Sequence, residues 1–125
     1  MITILATNSE LELSGTPAEL REVRDRLAGL HQGERLRIPA DASAVAAPYD
    51  RTLAALEVVA ADGPVHVSVE DDRLSVSGSP AMLVVFASFF DFDDSEPLGN
   101  HRHHEYSNGN AYIAADSRPL VICRA

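Results

Sequence analysis

Lysine is absent from this chain of 125 residues, and all ten basic residues are arginine. With so many alanines present, that absence is most simply a codon effect of a GC-rich genome. Cysteine is nearly absent too. The single thiol, Cys123, has no partner in the chain, which excludes an internal disulfide framework and leads us to expect a reducing, cytoplasmic compartment. No apolar stretch is long enough to span a membrane. The opening Met1-Ile2-Thr3-Ile4-Leu5-Ala6 turns polar at Thr7-Asn8-Ser9-Glu10 with no basic region ahead of it, so neither export nor membrane insertion is expected. There is no P-loop, no glycine-rich dinucleotide fingerprint, no nucleophile elbow and no His-Glu-x-x-His. Cys123 lies in the apolar run Leu120-Val121-Ile122, a context that reads as packing rather than as half of a Cys-His nucleophilic pair. The expectation is a protein that is not an enzyme and carries no cofactor.

Basic charge is scarce as well. Nineteen acidic residues against ten basic ones give a net charge of −9. Such a surface repels phosphates, which argues against nucleic acid as a partner and leaves a basic protein, a cation or plain solubility.

What is present, above all, is repetition. The length suits a single domain, 1–125, able to bury a core without disulfides or a structural metal. Sliding the chain by 63 positions lays Leu11-Glu12-Leu13-Ser14-Gly15-Thr16-Pro17-Ala18-Glu19-Leu20 on Leu74-Ser75-Val76-Ser77-Gly78-Ser79-Pro80-Ala81-Met82-Leu83 without a gap. Six residue types agree outright, and the apolar alternation upstream agrees with them. Units 1–62 and 63–125 are therefore copies of one design.

Each copy opens with a strand hairpin. Ile2, Ile4 and Ala6, then Leu11 and Leu13, alternate with polar residues around Asn8-Ser9; Val65, Val67 and Val69, then Leu74 and Val76, do so around Asp71-Asp72. Gly15 and Gly78 are expected to swing the backbone off the strand, with positive φ as one way to do it. Thr16 or Ser79 then serves as N-cap and Pro17 or Pro80 as the first helical residue. Glu19 completes a capping box with Thr16, and Leu20, Val23, Leu27 and Leu30 stripe the first helix. The second helix, over residues 80–90, is apolar almost all round, so we expect it to be covered on both sides, by the other repeat or in a homodimer.

Beyond the helices, Arg35-Leu36-Arg37-Ile38 answers to Arg102-His103-His104-Glu105, and Ala54-Ala55-Leu56-Glu57-Val58-Val59 to Arg118-Pro119-Leu120-Val121-Ile122-Cys123. The fold class expected is α+β: two tandem ββαββ units in antiparallel-rich sheets, one helix packed per unit, related by a pseudo-two-fold axis. One long sheet and two layers are both compatible with the pattern. Ala40 to Pro48 reads as a loop.

Two clusters carry chemistry. In His101-Arg102-His103-His104-Glu105-Tyr106, strand alternation puts His101, His103 and Glu105 on one face and Arg102, His104 and Tyr106 on the other. His101 and His103 with Glu105 are candidate ligands for a zinc-type ion, or ordinary polar strand residues. Asp91, Asp93, Asp94 and Glu96 follow the second helix, where carboxylates oppose the helix dipole. They read as a solvated loop or as a docking surface. The spacing is not that of an EF-hand, since Glu96 and Arg102 stand where glycine and the bidentate glutamate are required.

The segment Gly99-Asn100-His101-Arg102-His103-His104-Glu105-Tyr106, with Gly109-Asn110, Ile113, Asp116-Ser117 and Pro119-Leu120-Val121-Ile122, resembles the immunity protein 32 family of bacterial polymorphic toxin systems. The likeness covers residues 64–124, and the hairpin, glycine junction and helix of the second copy fit its ββαββ layout. It implies a cytoplasmic, non-enzymatic antidote that binds a cognate toxin. Asp91, Asp93, Asp94, Glu96, His101 and His103 would then lie on the partner-binding surface. A metal- or small-molecule-binding module using His101, His103 and Glu105 is the competing expectation.

Overall fold

The computed structural model describes residues 1–125. The first half holds β1 (Thr3–Ala6), β2 (Leu11–Gly15), α1 (Pro17–Ala28), β3 (Arg35–Pro39), β4 (Arg51–Leu53) and β5 (Ala55–Ala60). The second holds β6 (His66–Glu70), β7 (Arg73–Gly78), α2 (Pro80–Ala87) with a 3-10 turn at Ser88–Phe90, β8 (His101–His104) and β9 (Leu120–Arg124). The fold is α+β with two mixed sheets, ordered β4-β1-β2-β9-β8 and β3-β5-β7-β6. Ala40 to Pro48 forms no regular element, and the short strand β4, which follows it, was not expected from the sequence.

Neither sheet belongs to one unit. The β1–β2 hairpin of the first copy continues into β9 and β8 of the second, and the β6–β7 hairpin of the second continues into β5 and β3 of the first. Both seams are parallel pairs in equivalent register: Leu13 lies opposite Ile122, and Val76 opposite Val58. The pseudo-two-fold thus relates two units that have exchanged their closing strand pairs.

The observed register also corrects the sequence alignment of those closing strands. Arg102 pairs with Ile122 as Leu36 pairs with Val58, so His104 is the counterpart of Ile38 and His103 of Arg37. The two strands match one residue earlier than identity matching had suggested, and in a strand a one-residue slip changes which side chains face the core.

Gly15 and Gly78 serve by their size. Neither has positive φ; that conformation falls on Gly33, Gly63, Gly99, Gly109 and on Asp71 in the second hairpin turn. A Cβ on Gly15 would lie 3.3 Å from Ile2 Cγ2, and one on Gly78 3.2 Å from Val65 Cγ2 and 3.3 Å from its Cα. Ile2 and Val65 are themselves repeat-equivalent, so both copies use glycine to let the strand start pass close by.

Both helix starts are capped as expected. Thr16 Oγ1 accepts from Glu19 N at 3.2 Å and Glu19 Oε1 from Thr16 N at 2.9 Å, while Ser79 Oγ accepts from Met82 N at 3.3 Å. Leu20, Val23 and Leu27 of α1 are buried, as are Leu83, Phe86 and Ala87 of α2. The two helices pack on each other, so the covering expected for α2 comes from the other repeat, and Val84 is the large apolar side chain it leaves exposed. One continuous core of 25 buried residues draws on both sheets and both helices.

Strand exchange makes each half depend on the other. We expect residues 1–62 or 63–125, produced alone, to show no cooperative monomeric unfolding transition, and an equimolar mixture to regain one by circular dichroism; a half that melts cooperatively as a monomer contradicts this topology.

Candidate functional site

The acidic run is anchored from within. Phe90 and Phe92 are fully buried, and the residues between and after them, Asp91, Asp93 and Asp94, are turned outward. Three arginines meet this loop. From α1, Arg21 Nη1 donates to Phe92 O at 2.7 Å and Asp94 Oδ1 at 2.9 Å, and Arg24 Nη1 to Asp91 Oδ1 at 2.6 Å. Arg24 also binds its neighbour Asp25, and these two carboxylates raise its pKa. From β8, Arg102 Nη1 donates to Asp91 O at 2.7 Å and, at 3.4 Å, to Phe89 O, while Nη2 reaches Glu96 Oε1 at 3.0 Å and Oε2 at 3.2 Å. Its guanidinium lies 4.0 Å from the centre of the Phe92 ring, a cation–π distance.

That arrangement supplies what the helix end lacked. The guanidinium of Arg102 binds carbonyls where α2 and its 3-10 turn stop, and so offsets the local excess of negative charge. Glu96 is held further by Asp93 N at 2.7 Å and Asn100 Nδ2 at 2.7 Å. Asp91, Asp94 and Glu96 are thus each tied to an arginine, whereas Asp93 has no such partner. The loop is a pinned structure rather than a free solvated run. Sequence alternation puts Arg102 on the face opposite His101 and His103, and shows neither that this face is inward nor that Arg102 clamps the loop.

His101 and His103 lie on the outward face of β8, both exposed, with ring centres 5.0 Å apart and edge to face. His101 Nδ1 is 3.1 Å from Gly99 O. β8 ends at His104, so Glu105 lies beyond the strand instead of continuing its face. No three His, Cys, Asp or Glu side chains come together in a geometry able to hold a metal ion, and His101, His103 and Glu105 do not form one.

Cys123 also departs from expectation. It projects from the outward face, half-buried, in register with His101. Burial pushes its thiol pKa up and the charge of Glu12 pushes it the same way, so the sulfur stays protonated and is not prepared as a nucleophile. A groove lined in part by Glu10, Tyr49, His103 and Val121 runs along this side of the sheet.

His104 occupies the opposite face of the same strand and is 2% exposed. Its ring stands edge to face with Phe86 at 4.8 Å and Phe89 at 5.0 Å, and its Nδ1 is enclosed without a hydrogen-bond partner. Burial holds its pKa down at about 4. The imidazole is therefore neutral at physiological pH. Sequence alternation puts it on the face shared with Arg102; that this face is the inward one follows only from the pairing register, which makes His104 the counterpart of Ile38.

No family model, curated protein or solved structure matches the chain.

Two outcomes follow from this geometry. Replacing Arg102 by Met keeps the stem over Phe92 but removes its hydrogen bonds. We expect a loss of about 1–3 kcal/mol in chemical denaturation and faster amide exchange over residues 91–97, whereas unchanged exchange would show that the loop does not depend on the clamp. For His104, the unfolded ring takes up its proton near the ordinary 6.5 and the folded ring only near about 4. Between those values the unfolded state binds more protons, so its contribution is fully present above pH 6.5 and falls by roughly 3 kcal/mol towards pH 4. His104→Ile should flatten that part of the stability profile.

Proposed function

We propose that this chain is a protein-binding module of the immunity type, a cytoplasmic, non-enzymatic antidote that binds and neutralises a cognate protein toxin. The observation that carries the reading is the pinned acidic loop beside a free strand edge. β8 closes its sheet and pairs only with β9. A partner meeting that edge finds backbone groups ready for strand addition, with His101 and His103 outward and Asp91, Asp93, Asp94 and Glu96 held in place at the strand's start. Because the arginines fix the loop beforehand, little ordering remains to be done on binding, which favours affinity. A net charge of −9 would steer a basic partner, such as a toxin with a cationic site for nucleic acid, and repel nucleic acid itself. The family resemblance in residues 64–124 points the same way. A homodimer through α2 has less to support it now that α1 covers that helix, and light scattering measures it directly.

Affinity capture from the source bacterium, read with the genes beside its own, should return a toxin-like basic protein. With that partner in hand, Asp93→Lys should slow association by roughly three- to tenfold at low salt, and His101→Glu with His103→Glu should speed dissociation. Recovery of no toxin-like protein, together with no toxin gene nearby, would sink the proposal.

A further inference from the structure

The pseudo-two-fold axis builds the same pocket twice, where the helix of each unit passes over the closing strand. In the first unit Ile2, Glu19, Glu22, Val23, Arg26 and Ile38 line it, with a volume of about 290 Å³. In the second, Val65, Met82, Val85, Phe86, Phe89 and His104 line a volume of about 100 Å³. The two sets correspond residue for residue: the helix and first-strand positions by the shift of 63 and the closing-strand position by the pairing register. Their chemistry is inverted. The first pocket has a charged rim, Glu19, Glu22 and Arg26, around an apolar floor at Ile38. The second has an apolar rim, Met82, Val85 and Phe89, and a polar floor at His104.

A floor of isoleucine is evidently compatible with this fold, because the first unit has one. Histidine there is unfavourable for stability: the ring is taken out of water and its Nδ1 receives no protein partner. A residue that breaks the local packing rule where its own repeat shows the better-packed alternative marks a position kept for another purpose. Both units bridge the strand start with a later segment, Asp41 N donating to Ile2 O in the first and Ala114 N to Val65 O in the second, but only in the second does that segment line the pocket. Asn110, Tyr112 and Ile113 close one side, held to the β6 end by Val65 N donating to Tyr112 O and Ala114 N to Val65 O, each at 2.8 Å. Tyr112 is half exposed and Met82 and Val85 are half buried, so the mouth is lined by side chains able to shift.

We propose that this second pocket is a binding site for a small, uncharged, largely apolar molecule bearing one hydroxyl, a phenol or short alcohol, whose hydroxyl pairs with the imidazole of His104. The apolar walls exclude a charged ligand, since no side chain there neutralises one. The imidazole makes no hydrogen bond to another residue, so the ring can adopt the tautomer that the hydroxyl requires. The volume sets the size: a dry apolar cavity of roughly 150 Å³ takes benzene, so 100 Å³ with movable walls suits a ligand of one ring at most. This site is separate from the outward face of β8, and its test does not depend on a protein partner.

The probe is phenol, with benzene as the control that lacks a donor. Titration of the full chain, followed by methyl NMR, should shift Val65, Met82 and Val85 but leave Val23 and Ile38 of the first pocket unmoved, with Kd near about 1 mM. Phenol should bind roughly three- to tenfold tighter than benzene, and His104→Ile should abolish that preference. In the unsubstituted protein the ring nitrogens of His104 should shift with phenol alone, which keeps the test decisive should the variant fail to fold. Absence of shifts with either probe means that the pocket holds only water and overturns the inference. So do equal affinities for the two probes, or equal shifts in both pockets.

Discussion

Two parallel strand pairings, β2 with β9 and β5 with β7, hold this molecule together. Each joins residues from opposite halves of the chain, so without them the first sheet would stop at β4-β1-β2 and the second at the β6–β7 hairpin, each with an unpaired edge. Isolated hairpins are at best marginally stable in water, and the seams supply each with the strands it lacks. The glycines at the ends of β2 and β7, the capped helices that follow and the helix-to-helix contact across the pseudo-two-fold all come after this constraint. They place the chain so that the exchanged strands can reach their seats.

β8 is where the two copies differ most. Its outward residues, His101 and His103, face solvent beside an acidic loop. Its inward residues carry two distinct duties: Arg102 clamps that loop and ends α2, and His104 floors a pocket. The period of two along a strand lets adjacent residues work in separate environments. The first copy has Arg35, Leu36, Arg37 and Ile38 in these places; all four pair with β5, and Arg37 binds Glu57.

Much of this could be read from the chain itself. The repeat, the two hairpins, both helix starts and the separation of Arg102 and His104 from His101 and His103 follow from short-range patterns: alternation, cap residues and proline. The strand exchange could not, because Leu13 meeting Ile122 and Val58 meeting Val76 are long-range choices on which local propensity is silent. The same limit explains the one-residue slip in aligning the closing strands, where few identities remained and only hydrogen-bonded register could decide. β4 escaped notice because Arg51-Thr52-Leu53 is too short to alternate visibly. The acidic run was recognised, but its arginine clamp was not, since Arg21 and Arg24 lie some 70 residues away in sequence. Gly15 and Gly78 were recognised as necessary, although crowding by Ile2 and Val65, and not a left-handed backbone, is what requires them.

The exchange also governs how the protein would report occupancy. With both sheets drawing strands from both units and sharing one core, there is no half-molecule that can melt while the other stays folded. By thermodynamic linkage, free energy gained at any one place on the native state then stabilises all of it. A ligand against His104 and a partner on the far side of the same strand would each raise the melting temperature of the whole chain, and each would protect amides as distant as β3. Occupancy of a small pocket in the second unit is thereby felt throughout a molecule whose first unit never touches it.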